Sequence, residues 1–93
     1  MFDWSDEKDE ILRRERGIGF QDIVYHIDKG NLIAVADHPN QGKFQNQKIL
    51  YVQVDDYVYM VPCVESGGIT FLKTIIPSRK ETKRLLKGGD HEI

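Results

Sequence analysis

Three runs rich in β-branched and aromatic residues, 48–54, 57–64 and 69–76, are joined by links too short to hold a helix. The first link is Asp55-Asp56 and the second is Ser66-Gly67-Gly68. A parallel neighbour needs a crossover of about a dozen residues or more, so these strands must run antiparallel. A further run, Leu32-Ile33-Ala34-Val35-Ala36, precedes them across a polar connection at 38–47. The expectation is a four-stranded antiparallel meander. Pro62 has no N–H to give a ladder, so its strand is expected at an edge, or with a bulge there.

Helical signals flank this block. Ser5 can cap a first helix, with Asp6 and Glu7 in its first turn and Gly17 as its C′ residue. Phe20, Ile23, Val24 and Ile27 follow at the spacing of one helix face, and Gly30 ends that second helix. Beyond the last strand, Pro77 stops the β run, and Ser78 stands three before Glu81, a capping-box spacing. A C-terminal helix is expected from Ser78 to about Lys87, stopped by Gly88-Gly89, with 88–93 a frayed tail. No helix can bury its stripe alone, so the helices must pack on the sheet. The reading is one α+β domain over 1–93, with two N-terminal helices, four strands and a last helix.

Charge narrows the partners. The net charge is -2 over 93 residues, which does not suit a globally basic nucleic-acid binder. Its distribution is uneven. Arg79, Lys80, Lys83, Arg84 and Lys87 face only Glu81 in the last helix, a local surface suited to phosphate or to an acidic protein. A single cysteine, Cys63, excludes an internal disulfide and a cysteine zinc cluster, and its apolar neighbours predict a buried thiol. No apolar segment is long enough for a membrane helix, and the N-terminus is acidic, so a cytosolic chain is expected.

Arg79 is the leading candidate for chemistry. At a helix start, free N–H groups and the macrodipole already favour an anion, and a guanidinium adds a two-toothed grip on phosphate. The competing reading is a solvated basic face, with Arg79 paired to Glu81. Lys73, between Leu72 and Thr74, shares a strand face with Phe71 and Ile75; it either snorkels at an edge or is held in a site. His38 lies in the long polar connection and is a candidate acid or base. His26 falls off the second helix's stripe and reads as exposed, and His91 lies in the tail. Tyr57 and Tyr59 share a strand face and can stack on bases or pack as core residues. The histidines and acids have no metal-ligand spacing, and Gly67-Gly68 is a turn, so neither a metal nor a cofactor is expected.

Two motifs carry a resemblance. Phe2-Asp3-Trp4-Ser5-Asp6-Glu7-Lys8, with Gly17-Ile18-Gly19-Phe20-Gln21-Asp22 after it, is similar to the N-terminus of the BrnT toxins. Ile76-Pro77-Ser78-Arg79-Lys80-Glu81-Thr82 matches their C-terminal Ile-Ser-Ala-Arg-Lys-Ala-Thr at Ile76, Arg79, Lys80 and Thr82. These toxins belong to bacterial type II toxin–antitoxin pairs and are ribonucleases of RelE-like fold. The departures are specific. Glu15-Arg16 stands where many members carry Lys-His before the glycine, and Thr74 stands where an arginine is common, with Lys73 one residue off.

The resemblance implies a metal-independent endoribonuclease that inhibits translation and growth. Such cleavage needs a base for the 2′-OH, cations for the phosphorane and an acid for the leaving oxygen. The resemblance and the residue chemistry together suggest Arg79, helped by Lys73 or Arg16, as cations and His38 as acid or base. Arg16 is equally readable as dipole-stabilising charge at a helix end. Lys80, Lys83, Arg84, Tyr57 and Tyr59 are the candidate RNA contacts. The implied partner is a small DNA-binding antitoxin, an acidic segment of which covers the basic strip. The alternative is a non-catalytic binding module of the same fold.

Overall fold

A computed structural model describes residues 1–43 and 45–86. The expected end of the last helix at Lys87, the 88–93 tail and His91 lie outside the described residues. The elements are β1 (Phe2–Trp4), α1 (Asp6–Arg16), α2 (Phe20–Asp28), β2 (Leu32–Asp37), β3 (Gln47–Val54), β4 (Tyr57–Ser66), β5 (Ile69–Leu72), β6 (Ile76–Pro77) and α3 (Arg79–Leu86). The fold is α+β, with three helices and a mixed sheet in the order β1-β5-β4-β3-β2.

The meander from β2 to β5 is antiparallel, as its short links require. Gly67 and Gly68 both take positive φ, 58° and 82°, which gives the β4–β5 hairpin a twist that matches its strands. The sheet corrects the sequence reading in two places. First, Phe2–Trp4 forms a strand and pairs in parallel with β5, so the sheet is not purely antiparallel. Two helices and three strands lie between these partners in the chain, so the crossover is long enough for a parallel pair.

Second, the expected strand at 69–76 breaks after Leu72 and resumes only at Ile76 and Pro77, which pair with Met60 and Tyr59. Pro62 explains the break. It accepts from Lys73 N–H at 2.8 Å but has no N–H to return, so the ladder loses half of its next bond pair. The edge position or bulge expected at Pro62 is not found: β4 lies between β3 and β5 in unbroken register with β3, and the proline's missing donor faces the point where β5 departs.

The core lies on the sheet face that α1 and α2 cover. Leu12, Ile18, Phe20 and Ile23 pack against Leu50, Val52, Val61, Cys63, Leu72 and Ile75. Phe20 and Ile23 are fully buried, while Val24 and Ile27 are half-buried at the rim of the same stripe. Trp4 stacks on Phe20 with ring centroids 5.7 Å apart, which ties β1 to α2.

Helix starts rest on side chains where the backbone has none to offer. Ser5 Oγ accepts from Lys8 N–H at 3.2 Å. The N-cap of α2 is Gly19, which has no side chain to cap with. Asp9 of α1 does so instead, accepting from Phe20 N–H at 2.7 Å, while Asp22 accepts from Gly19 N–H at 2.8 Å. Arg13 holds the other Asp9 oxygen at 3.0 Å.

The last helix is fastened to the start of β4. Ser78 N–H donates to Val58 C=O at 3.1 Å, and Val58 N–H donates to Thr82 Oγ1 at 2.8 Å. Thr82 Oγ1 in turn donates to Ser78 C=O at 2.7 Å. One buried hydroxyl thus joins the helix start to the strand. Ser78 Oγ caps Glu81 N–H at 3.1 Å, as the spacing predicts. The reciprocal half of the capping box does not form, because Ser78 N–H is already bonded to β4.

Candidate functional site

The turn end of the β3–β4 hairpin carries the most chemistry. Tyr57 and Tyr59 are two apart on β4, so they point to one face. Their rings meet edge-on with centroids 5.6 Å apart. A cleft flanks each ring. One, of about 500 Å³, is lined by Asp56, Tyr57, Arg79, Thr82 and Lys83. The other, of about 340 Å³, is lined in part by Arg16, Asp22, His26, Asp55 and Tyr59.

Arg79 is exposed and makes no hydrogen bond or ion pair among the described residues. Its expected partner, Glu81, is taken by Arg84, whose Nε lies 2.6 Å from Glu81 Oε1. That i,i+3 pair engages Glu81 with Arg84 and not with Arg79. Lys80 and Lys83 are exposed on the same helix. Among the described residues two cations, Arg79 and Lys83, thus line the cleft with one carboxylate, Asp56, beside an aromatic ring.

Arg16, at the end of α1, donates from Nη1 to Ile75 C=O at 2.5 Å. This bond carries the helix end to the link between β5 and β6. His26 departs from its sequence reading: it is half-buried and lines the cleft with Arg16 and Tyr59. Its Nδ1 lies 3.2 Å from the Asn31 side-chain amide, and its ring meets Tyr25 edge-on at 5.2 Å. The spacing of Asp22 and His26, one helical turn apart, is the signal that places them on one face.

The other sequence candidates lie elsewhere. His38 donates its N–H to Gln47 C=O at 3.0 Å, and its Nδ1 accepts from Asn40 N–H at 3.1 Å. Gln47 opens β3 and Val54, opposite Tyr57, closes it, so His38 sits roughly 23 Å along the sheet from the tyrosine pair. Lys73 is exposed in the link after β5 and lines neither cleft, and the residue expected to share its face, Ile75, is buried in the core. Tyr51 is buried.

Two groups away from the clefts have displaced pKa values. Burial pushes the Cys63 thiol up, aided by Glu65. The Arg13 guanidinium is raised by its hydrogen bond to Asp9. Among the described residues no group of three or more His, Cys, Asp or Glu side chains is placed to hold a metal ion. No helix of the described residues is long and apolar enough to cross a membrane. No protein-family model, curated protein or solved structure matches the chain.

Proposed function

We propose that this chain is a cytoplasmic, metal-independent endoribonuclease resembling the BrnT toxins, held in check by a small DNA-binding antitoxin. The observation that carries the reading is Arg79, without a side-chain partner among the described residues, beside Lys83 and Tyr57 in one cleft. An arginine left unpaired next to an aromatic ring suits a phosphodiester whose base stacks alongside. In the reaction, O2′ attacks phosphorus, the P–O5′ bond breaks, and the 2′ proton passes through solvent water to O5′. Arg79 stabilises the charge that builds on the phosphoryl oxygens, and Lys83 holds the neighbouring backbone. An acidic segment of the antitoxin would cover the same strip on α3.

A second reading has its own observation. Among the described residues no imidazole lines the cleft with Arg79, and His38 lies far along the sheet. This favours a binding module that holds RNA or an acidic protein without cutting it. Induction of the chain without an antitoxin, followed by growth and RNA integrity, separates the two. Toxicity with RNA fragmentation that Arg79→Ala abolishes supports the nuclease. A harmless wild type that leaves RNA intact supports the binding module.

A further inference from the structure

The cleft between the end of α1 and the β3–β4 turn has a different chemistry from its neighbour. Among the described residues one cation, Arg16, lines it with two carboxylates, Asp22 and Asp55, and with His26 and Tyr59 beside them. That balance repels a phosphate. It suits an uncharged heterocycle that both gives and accepts hydrogen bonds.

The groups retain the capacity to do this. Arg16 has one Nη on Ile75 C=O, which leaves its other Nη and its Nε. The Asn31 side-chain amide meets His26 Nδ1, which leaves the ring's Nε2 for a ligand. Asp22 gives one oxygen to Gly19 N–H and keeps the other. Asp55 is exposed in a turn with φ 59°, and its carboxylate has no partner among the described residues. Tyr59 supplies a ring face or edge at the wall shared with Tyr57.

We infer that this cleft reads a guanine base of a single-stranded RNA whose phosphate lies at Arg79 and Lys83. The inference rests on the RNA-binding part of the reading above. Guanine places two acceptors, O6 and N7, side by side, and two donors, N1–H and the N2 amino group, side by side. An arginine fork matches the first pair and a carboxylate matches the second. Adenine, cytosine and uracil lack that pair of adjacent donors. The tyrosines stack the base and orient the strand across both clefts.

The experiment is an NMR titration of the full chain with the 3′-monophosphates of guanosine, adenosine, cytidine and uridine, none of which contains a scissile phosphodiester. Guanosine 3′-monophosphate is expected to bind about tenfold or more tightly than the others, the discrimination typical of one good bidentate pair. The His26 ring and Arg16 Nε–H signals should move with it. Asp55→Asn tests the carboxylate without a folding penalty, because asparagine accepts the left-handed turn conformation. It should erase the preference for guanosine. Equal binding of the four nucleotides, no binding at all, or a preference that survives Asp55→Asn overturns the inference. RNA that stays intact while guanosine is still preferred removes the nuclease and leaves the guanine site. RNA cut without guanosine preference does the reverse.

Discussion

Thr82 is the side chain on which the placement of α3 depends, and replacing it by valine isolates one hydrogen-bonded oxygen. Valine keeps the volume and branching. It removes the acceptor for Val58 N–H and the donor to Ser78 C=O. Ser78 C=O still accepts from Thr82 N–H at 3.0 Å, so it keeps a partner. Val58 N–H does not. Val58 is fully buried and Thr82 is 5% exposed, so water cannot readily take the vacated place. An orphaned buried N–H costs about 1–3 kcal/mol. Thr82→Ser keeps both bonds and loses one methyl group, about 0.8 kcal/mol. Urea denaturation should therefore rank wild type above serine above valine. A loss of about 2 kcal/mol would lower Tm by roughly 8–16 °C in a domain of this size. Because Thr82 and Arg79 line one cleft, valine should also weaken nucleotide binding at temperatures where the variant is still folded. If Thr82→Val is as stable as Thr82→Ser, the hydroxyl bridge does not fasten the helix and the reasoning fails.

Three further outcomes follow from other sites. Arg79→Ala should leave Tm unchanged, since the Arg79 side chain has no partner among the described residues, yet reduce RNA cleavage by about 10²–10³-fold, with Arg79→Lys restoring little; equal cleavage by the alanine variant would place the cation elsewhere. Asp9→Ala should lose about 1–2 kcal/mol in chemical denaturation, because the first turn of α2 loses its cap, and Asp9→Asn should recover part of it. Cys63 should resist alkylation in the native state and react once urea unfolds the chain. Its thiol pKa is raised in the folded state, so folded Cys63 holds its proton where the unfolded chain has lost it. The contribution to stability is thus complete below the ordinary thiol range and declines as pH rises above about 8.5. A stability that rises from pH 8 to 10 in wild type relative to Cys63→Ala would contradict that sign.

The parts of the fold that are legible in the chain are those set by near neighbours. Ser5, Gly17, Ser78 and the paired glycines at 67 and 68 act within a few residues of themselves, and each does so in the structure. The Phe20–Ile27 stripe is legible for the same reason. The first strand is not, because three residues carry no periodicity and their partner stands near the other end of the chain. The break at Lys73 depends on a proline in a different strand, so it becomes visible only once the register is known. The candidate site divides in the same way. Arg79 is marked by its place at a helix start. His26 is not, since it gains meaning only when the end of α1 and the β3–β4 turn are brought around it.

The parallel pairing of β1 with β5 also orders events in time. Thr70 N–H reaches Met1 C=O, so this contact closes a loop of almost the whole described chain. The β3–β4 hairpin closes over two residues and needs nothing from the N-terminus. Loop-closure entropy rises with loop length, so the expected order is the hairpin first and β1 last. On a ribosome, Phe2, Asp3 and Trp4 must wait for residues 70–72 to emerge before they have a strand to join. The groove at the hairpin end is thus built around an early nucleus, while the stacking of Trp4 on Phe20 belongs to the closing step.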